Sequence, residues 1–204
     1  EVLKTSALLI GNVDYVVNYN PEKIKSFIDI NNSLFFDKNN NKTRGFGFWC
    51  WQPLITLKTM EMADDGDIII YMDSAINIIH SLEPLIKLCI EKETLLFYLG
   101  EHTQKDYRNK VWCKKDTYNV MKFDSEKDFT QLTASVQMYV KNSKNNSLLQ
   151  ELFNYCLLSK AIADSSHCGQ DLKEEEYFKD HRHNQSILSI LAEKHFICRI
   201  RDCS

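Results

Sequence analysis

The chain has 204 residues, of which 44% are hydrophobic, enough for one well-covered core and short for two. Its formal charge is −3, with a pI of about 6.1, which excludes a global field that would draw it onto nucleic acid or an anionic membrane; any anion site must be local. No stretch approaches the roughly 18 apolar residues of a membrane helix, and seven scattered cysteines without a C-x-x-C fit reduced thiols and a cytoplasmic setting.

In chain order, the spacing from Val2 to Leu9 predicts a helix with Gly11 as its C-cap, and "VDYVVNY" from Val13 reads as a buried strand. Pro21 opens a short helix, and the polar run from Asn31 to Lys42 reads as loop. "RGFGFWCWQP" (44–53) then packs two glycines, two phenylalanines and two tryptophans into ten positions. A core strand needs no glycine and a loop needs no tryptophan, so this mixture reads as the wall of a site. "PLITLKTMEMAD" predicts a helix, "GDIIIYMD" the strongest strand, Leu82 to Ile90 a helix with Pro84 in its first turn, and "TLLFYL" a strand. Further on, "DTYNVM" predicts a short helix, "QLTASVQMYV" a strand, "SLLQELFNYCLLSKAI" one long amphipathic helix, and "HRHNQSILSILAEKH" a last helix. The alternation predicts an α/β fold, one domain over 1–204, with a mainly parallel, mixed sheet flanked by helices.

Several local features carry chemistry. Asp73 ends the apolar strand, where ligands gather outside the carboxyl ends of strands in α/β sheets; it either meets a metal or a sugar hydroxyl or simply caps the turn that follows. His181 and His183 are two apart and, on an extended segment, would share a face and could bind zinc with Cys198 or Cys203, but this spacing matches no structural zinc pattern. The basic stretch "KDYRNKVWCKK" is either a solvated face or a phosphate site, with Lys115 near a helix N-terminus. "GFG" has Cys50 where a dinucleotide fingerprint has its third glycine, and neither a P-loop nor a nucleophile elbow occurs.

Taken together, "RGFGFWCWQPLITLKTMEMADDGDIIIYMDSA" resembles a family of small GT-A-type glycosyltransferases of bacteria and large DNA viruses. That family has an Arg-Gly-x-Gly-Tyr-Trp-x-Trp-Lys-Pro segment, a helix, then a strand ending in Tyr-x-Asp-x-Gly. The resemblance continues in "WCKKD", "QLTAS" and "HRHNQSILSIL", from about Val13 to Phe196. It implies a GT-A-like domain, with a first strand expected upstream of Val2, so that the chain lacks that strand or is cut from a longer one. It implies a nucleotide-sugar donor of the UDP-sugar kind, a carbohydrate or protein hydroxyl as acceptor, and Mn²⁺ or Mg²⁺ at Asp73. Arg44, Gly45, Gly47, Trp49, Trp51, Gln52, Ser74, Lys115, Asp116, Gln131, Ala134, Ser135 and His183 fall at substrate-binding positions, and Asn184 and Gln185 at the catalytic pair. On this reading Trp49 and Trp51 wall the sugar or base, and Gly45 and Gly47 let the backbone approach the ligand. Gln52 stands where the family has Lys, Ala75 where a second metal carboxylate would help, and Asn184 where it has Asp. Those losses leave open a non-catalytic nucleotide- or carbohydrate-binding module on the same fold.

Overall fold

The computed structural model describes residues 1–28, 33–98, 106–127, 129–164 and 172–201. Among them are the helices α1 (Val2–Leu9), α2 (Pro21–Lys25), the single turn α3 (Gly45–Phe48), α4 (Trp51–Met62), α5 (Glu83–Lys92), α6 (Asn109–Trp112), α7 (Lys115–Met121), α8 (Ser143–Cys156), α9 (Ser159–Ile162) and α10 (Asn184–Lys194). Four strands, β1 (Ile68–Met72), β2 (Thr94–Tyr98), β3 (Leu132–Val140) and β4 (Arg199–Arg201), form one sheet in the order β1-β3-β2-β4.

β3 runs antiparallel to both its neighbours, and β2 pairs parallel with β4. Three strands therefore share a direction while only one adjacent pair is parallel. This corrects the expectation of a mainly parallel ladder, because β3 inserts against the grain between β1 and β2. Side chains alternate across the sheet as a period of two requires. Ile69, Leu96, Leu132 and Tyr139 join the larger core, which Met60, Leu149, Leu152, Ile187, Leu188, Ile190, Leu191 and Ala192 complete from α4, α8 and α10. Leu95, Phe97 and Met138 face the other way, onto Cys89 of α5. Covering both faces explains why "IIIYM" is apolar throughout.

Most predicted elements form within a few residues of where they were expected. "VDYVVNY" does not. Val13 and Val16 pack on the small cluster of Ala7, Ile78 and Leu82, Tyr15 is exposed, and Tyr19 bonds Thr59 of α4. Its apolar residues found a surface to cover, but among the described residues no neighbouring strand offers the ladder a strand needs. Among the described residues no named strand precedes β1. The long helix predicted through Ile162 breaks after Cys156: Leu158 is extended (φ −88°, ψ 109°), and a separate turn, α9, follows. That break aims the carbonyls of Ala161 and Ile162 at His181 and His183. β4 and the turns α3 and α6 were not foreseen.

Candidate functional site

The carboxyl end of β1 is tied down from several directions. The backbone N–H of Asp73 donates to the Ser135 carbonyl at 2.9 Å, continuing the β1–β3 ladder by one residue. Tyr71 lies two residues earlier on the same strand face, and its hydroxyl donates to Asp73 Oδ1 at 2.7 Å. Burial first, and then the neighbouring Asp73 carboxylate, push the Tyr71 phenol well above its ordinary value, so it stays a proton donor. Asp73 is half-buried, its carboxylate bonds back to Tyr71 instead of capping the turn, and Oδ2 has no hydrogen-bond partner among the described residues.

Behind this carboxylate lies a buried amide relay. Gln52, at the start of α4, donates to the Ala134 carbonyl at 2.6 Å, and Asn184, at the start of α10, donates to Gln52 Oε1. The Ala134 carbonyl also accepts from Gln137 at 2.9 Å. Ala134 and Ser135 thus enter the site through their main chain. Ser74 is exposed beside Asp73.

The aromatic segment is unusual in its backbone. Gly45, Phe46, Gly47, Phe48 and Trp49 have φ of +59°, +48°, +87°, +54° and +60°, so α3 is wound left-handed. Each L-residue in that region costs about 1–2 kcal/mol, and tertiary contacts must offset it. Thr43 supplies one brace, donating from Oγ1 to the Leu34 carbonyl at 2.5 Å while accepting from Gly47 N–H at 2.9 Å. Trp51 supplies another, its indole donating to the Gly45 carbonyl at 3.0 Å. The open sides of the glycines face the protein's own rings. A Cβ on Gly45 would overlap the Trp49 indole, and one on Gly47 would lie 2.6 Å from the Phe35 ring. On the side where a Cβ would stand, Gly45 and Gly47 admit Trp49 and Phe35. Trp49 and Trp51 are each half-buried, so both remain available as wall in part.

Other expected site residues are committed elsewhere. Gln131 is 1% exposed; its amide donates to Asn109, Ser186 and the Trp112 carbonyl, and its oxygen accepts from Gln185. Both Gln131 and Gln185 therefore belong to an internal polar network. Lys115 does begin a helix, but Glu174 occupies the place expected for a phosphate, accepting the Lys115 N–H at 3.1 and 3.2 Å. Burial raises the Glu174 carboxyl above its ordinary value. The Lys115 ammonium pairs with Glu175, and the buried Asp116 accepts the Leu172 N–H at 2.9 Å. Arg44 is exposed, paired with Asp180 at 3.0 Å and 6.0 Å from the Trp49 ring.

His183 is 1% exposed, packed at a tilt against Phe48 and Trp49 with centroids at 5.1 and 5.5 Å. His181 is also buried and uses both ring nitrogens, Nε2 with the Ala161 carbonyl at 3.0 Å and Nδ1 with the Lys114 N–H at 3.4 Å. The zinc pairing of these histidines with Cys198 does not form among the described residues, and Cys203 lies outside them. Tyr71 and Asp164, which the sequence reading did not single out, both contact site residues. Tyr71 was legible as the residue two before Asp73 on one strand, whereas nothing local marks Asp164.

No family model, no curated protein and no solved structure matches this chain. Among the described residues no helix is long and apolar enough to cross a membrane.

Proposed function

We propose that this protein is a metal-assisted glycosyltransferase moving a sugar from a nucleotide-sugar donor, a UDP-sugar in the first instance, to a carbohydrate or protein hydroxyl. The observation that carries the reading is Asp73, a half-exposed carboxylate at the end of β1 with one oxygen held by Tyr71 and the other without a partner among the described residues. The order of sequence motifs around it supports the same reading.

Asp73 fits a Mn²⁺ or Mg²⁺ ion, since such hard cations are commonly held by one or two protein carboxylates together with substrate phosphate oxygens. When bound, the ion would neutralise charge developing on the departing diphosphate. The chain's own residues orient and enclose. Tyr71 holds Oδ1 of Asp73, and the Gln52–Asn184 pair fixes α4 and α10 against the Ala134 carbonyl. Trp49 and Trp51 offer flat apolar faces of the kind sugars and bases pack on, with the Arg44 guanidinium 6.0 Å from the Trp49 ring.

One observation favours a binding module without turnover. The amides of Asn184 and Gln185 are spent on Gln52 and Gln131, and neither side chain is an acid or a base at neutral pH. A thermal-shift panel of UDP-sugars with and without Mn²⁺, followed by measurement of UDP release, separates the alternatives, because a ligand of the native state raises its apparent stability. The transferase reading expects a Mn²⁺-dependent shift with UDP release, both lost in Asp73→Ala. Binding without release selects the module, and no shift with any nucleotide sugar overturns both.

A further inference from the structure

One ring nitrogen of His183 is engaged and the other is left over. Nδ1 lies 2.8 Å from the Ile162 carbonyl oxygen. A carbonyl only accepts, so the proton sits on Nδ1 and Nε2 carries a lone pair. Among the described residues Nε2 has no hydrogen-bond partner, and it is buried in a side chain 2% exposed. Facing it at 3.6 Å is Oδ1 of Asp164. Two electron-rich atoms, one on a buried ring and the other on a carboxylate whose side chain is 33% exposed, do not attract one another without positive charge between them. A proton would bring them to about 2.7–2.9 Å, the usual charge-assisted length. Two ligands of one tetrahedral ion, each about 2.0–2.2 Å from the metal, instead stand about 3.3–3.6 Å apart.

We propose that His183 Nε2 and Asp164 Oδ1 form a binding site for a transition-metal ion of the Zn²⁺ class, separate from Asp73. Imidazole nitrogen and carboxylate oxygen suit such an ion, and Nδ1–H bonded to a backbone carbonyl is the outer contact that orients metal-bound histidines. The ring is held in place by Phe48, Trp49 and His181, the last with its centroid at 5.2 Å. Of the other charges around His183, Arg44 opposes a cation, and its pairing with Asp180 at 3.0 Å offsets that opposition. Among the described residues no group of three or more metal-binding side chains converges, so the remaining ligands would be water reaching the ion from the partly exposed Asp164 side.

The test takes the whole chain, strips it with a chelator and measures Zn²⁺ uptake by equilibrium dialysis. One equivalent is expected for the unmodified chain and for Asp73→Ala, with binding weakened at least about tenfold in both Asp164→Asn and His183→Gln. Zn²⁺ should also shift the ¹⁵Nε2 resonance of His183 in the unmodified protein, a readout that stands if a variant fails to fold. Absence of stoichiometric Zn²⁺, uptake unchanged by both substitutions, or an unmoved His183 Nε2 resonance overturns the proposal.

Discussion

Gln52 and Asn184 depart from the pattern that the sequence resembles, and in the fold they touch. A lysine and an aspartate at these positions would carry opposite charges, so the two exchanges together leave the local charge unchanged. Gln52 is 3% and Asn184 6% exposed, so Gln52→Lys or Asn184→Asp alone buries an unpaired charge and should cost about 3–5 kcal/mol in urea unfolding. The double variant should recover at least about 2 kcal/mol of the summed loss. Additivity within about 0.5 kcal/mol would mean that the two side chains do not interact. Tyr71→Phe removes the hydrogen bond that orients Asp73. We expect Mn²⁺-dependent nucleotide binding to weaken about tenfold by calorimetry with the fold intact, since hydrogen bonds to charged groups are worth about 1.5–3 kcal/mol.

At the scale of the element, the left-handed turn α3 concentrates strain where the sequence concentrates aromatic residues. Gly45→Ala and Gly47→Ala each place a methyl group into an occupied ring at positive φ, which combines backbone strain with overpacking. Together these should destabilise by about 2–5 kcal/mol in denaturant unfolding. Gly66 is the control: its φ is +95° and nothing lies within 4 Å of where an added methyl would stand, so Gly66→Ala should lose only the strain, about 1–2 kcal/mol. Equal losses at all three sites would refute the ring contacts. The glycines were conspicuous in the sequence, but the handedness was not. Phe46, Phe48 and Trp49 accept positive φ only because Phe35, Thr43 and His183 hold them from distant parts of the chain or from outside the turn.

Across the whole molecule, burial sets the pH behaviour and the thiol chemistry. His181 and His183 are held below the ordinary value of 6.5, chiefly by burial. Their unfolded forms therefore bind protons that the native forms refuse, so stability is present above pH 6.5 and falls as pH drops toward the folded values. In metal-free buffer, urea unfolding should lose up to about 1.4 kcal/mol per pH unit for each histidine below pH 6.5. His181→Asn should flatten that slope even if it lowers stability overall; an unchanged slope would acquit His181. Asp106, held at about 2 by Arg108, acts only in a lower window, between pH 3.8 and 2. Burial also raises the thiols of Cys50 and Cys113 to about 12 and of Cys89 to about 11, which makes them poor nucleophiles at neutral pH.

By itself the sequence determined the α/β class, most helix and strand positions, and Asp73 at the end of the strongest strand, because these depend on periodicity and on residues that are neighbours along the chain. Only the tertiary structure decided the reversed direction of β3, the Glu174 carboxylate over the start of α7, the Gln52–Asn184 contact and the Asp164–His183 pair. Each of these joins residues far apart in sequence. Their encounter follows from how buried surfaces pack and how buried polar groups find partners, which no local pattern encodes.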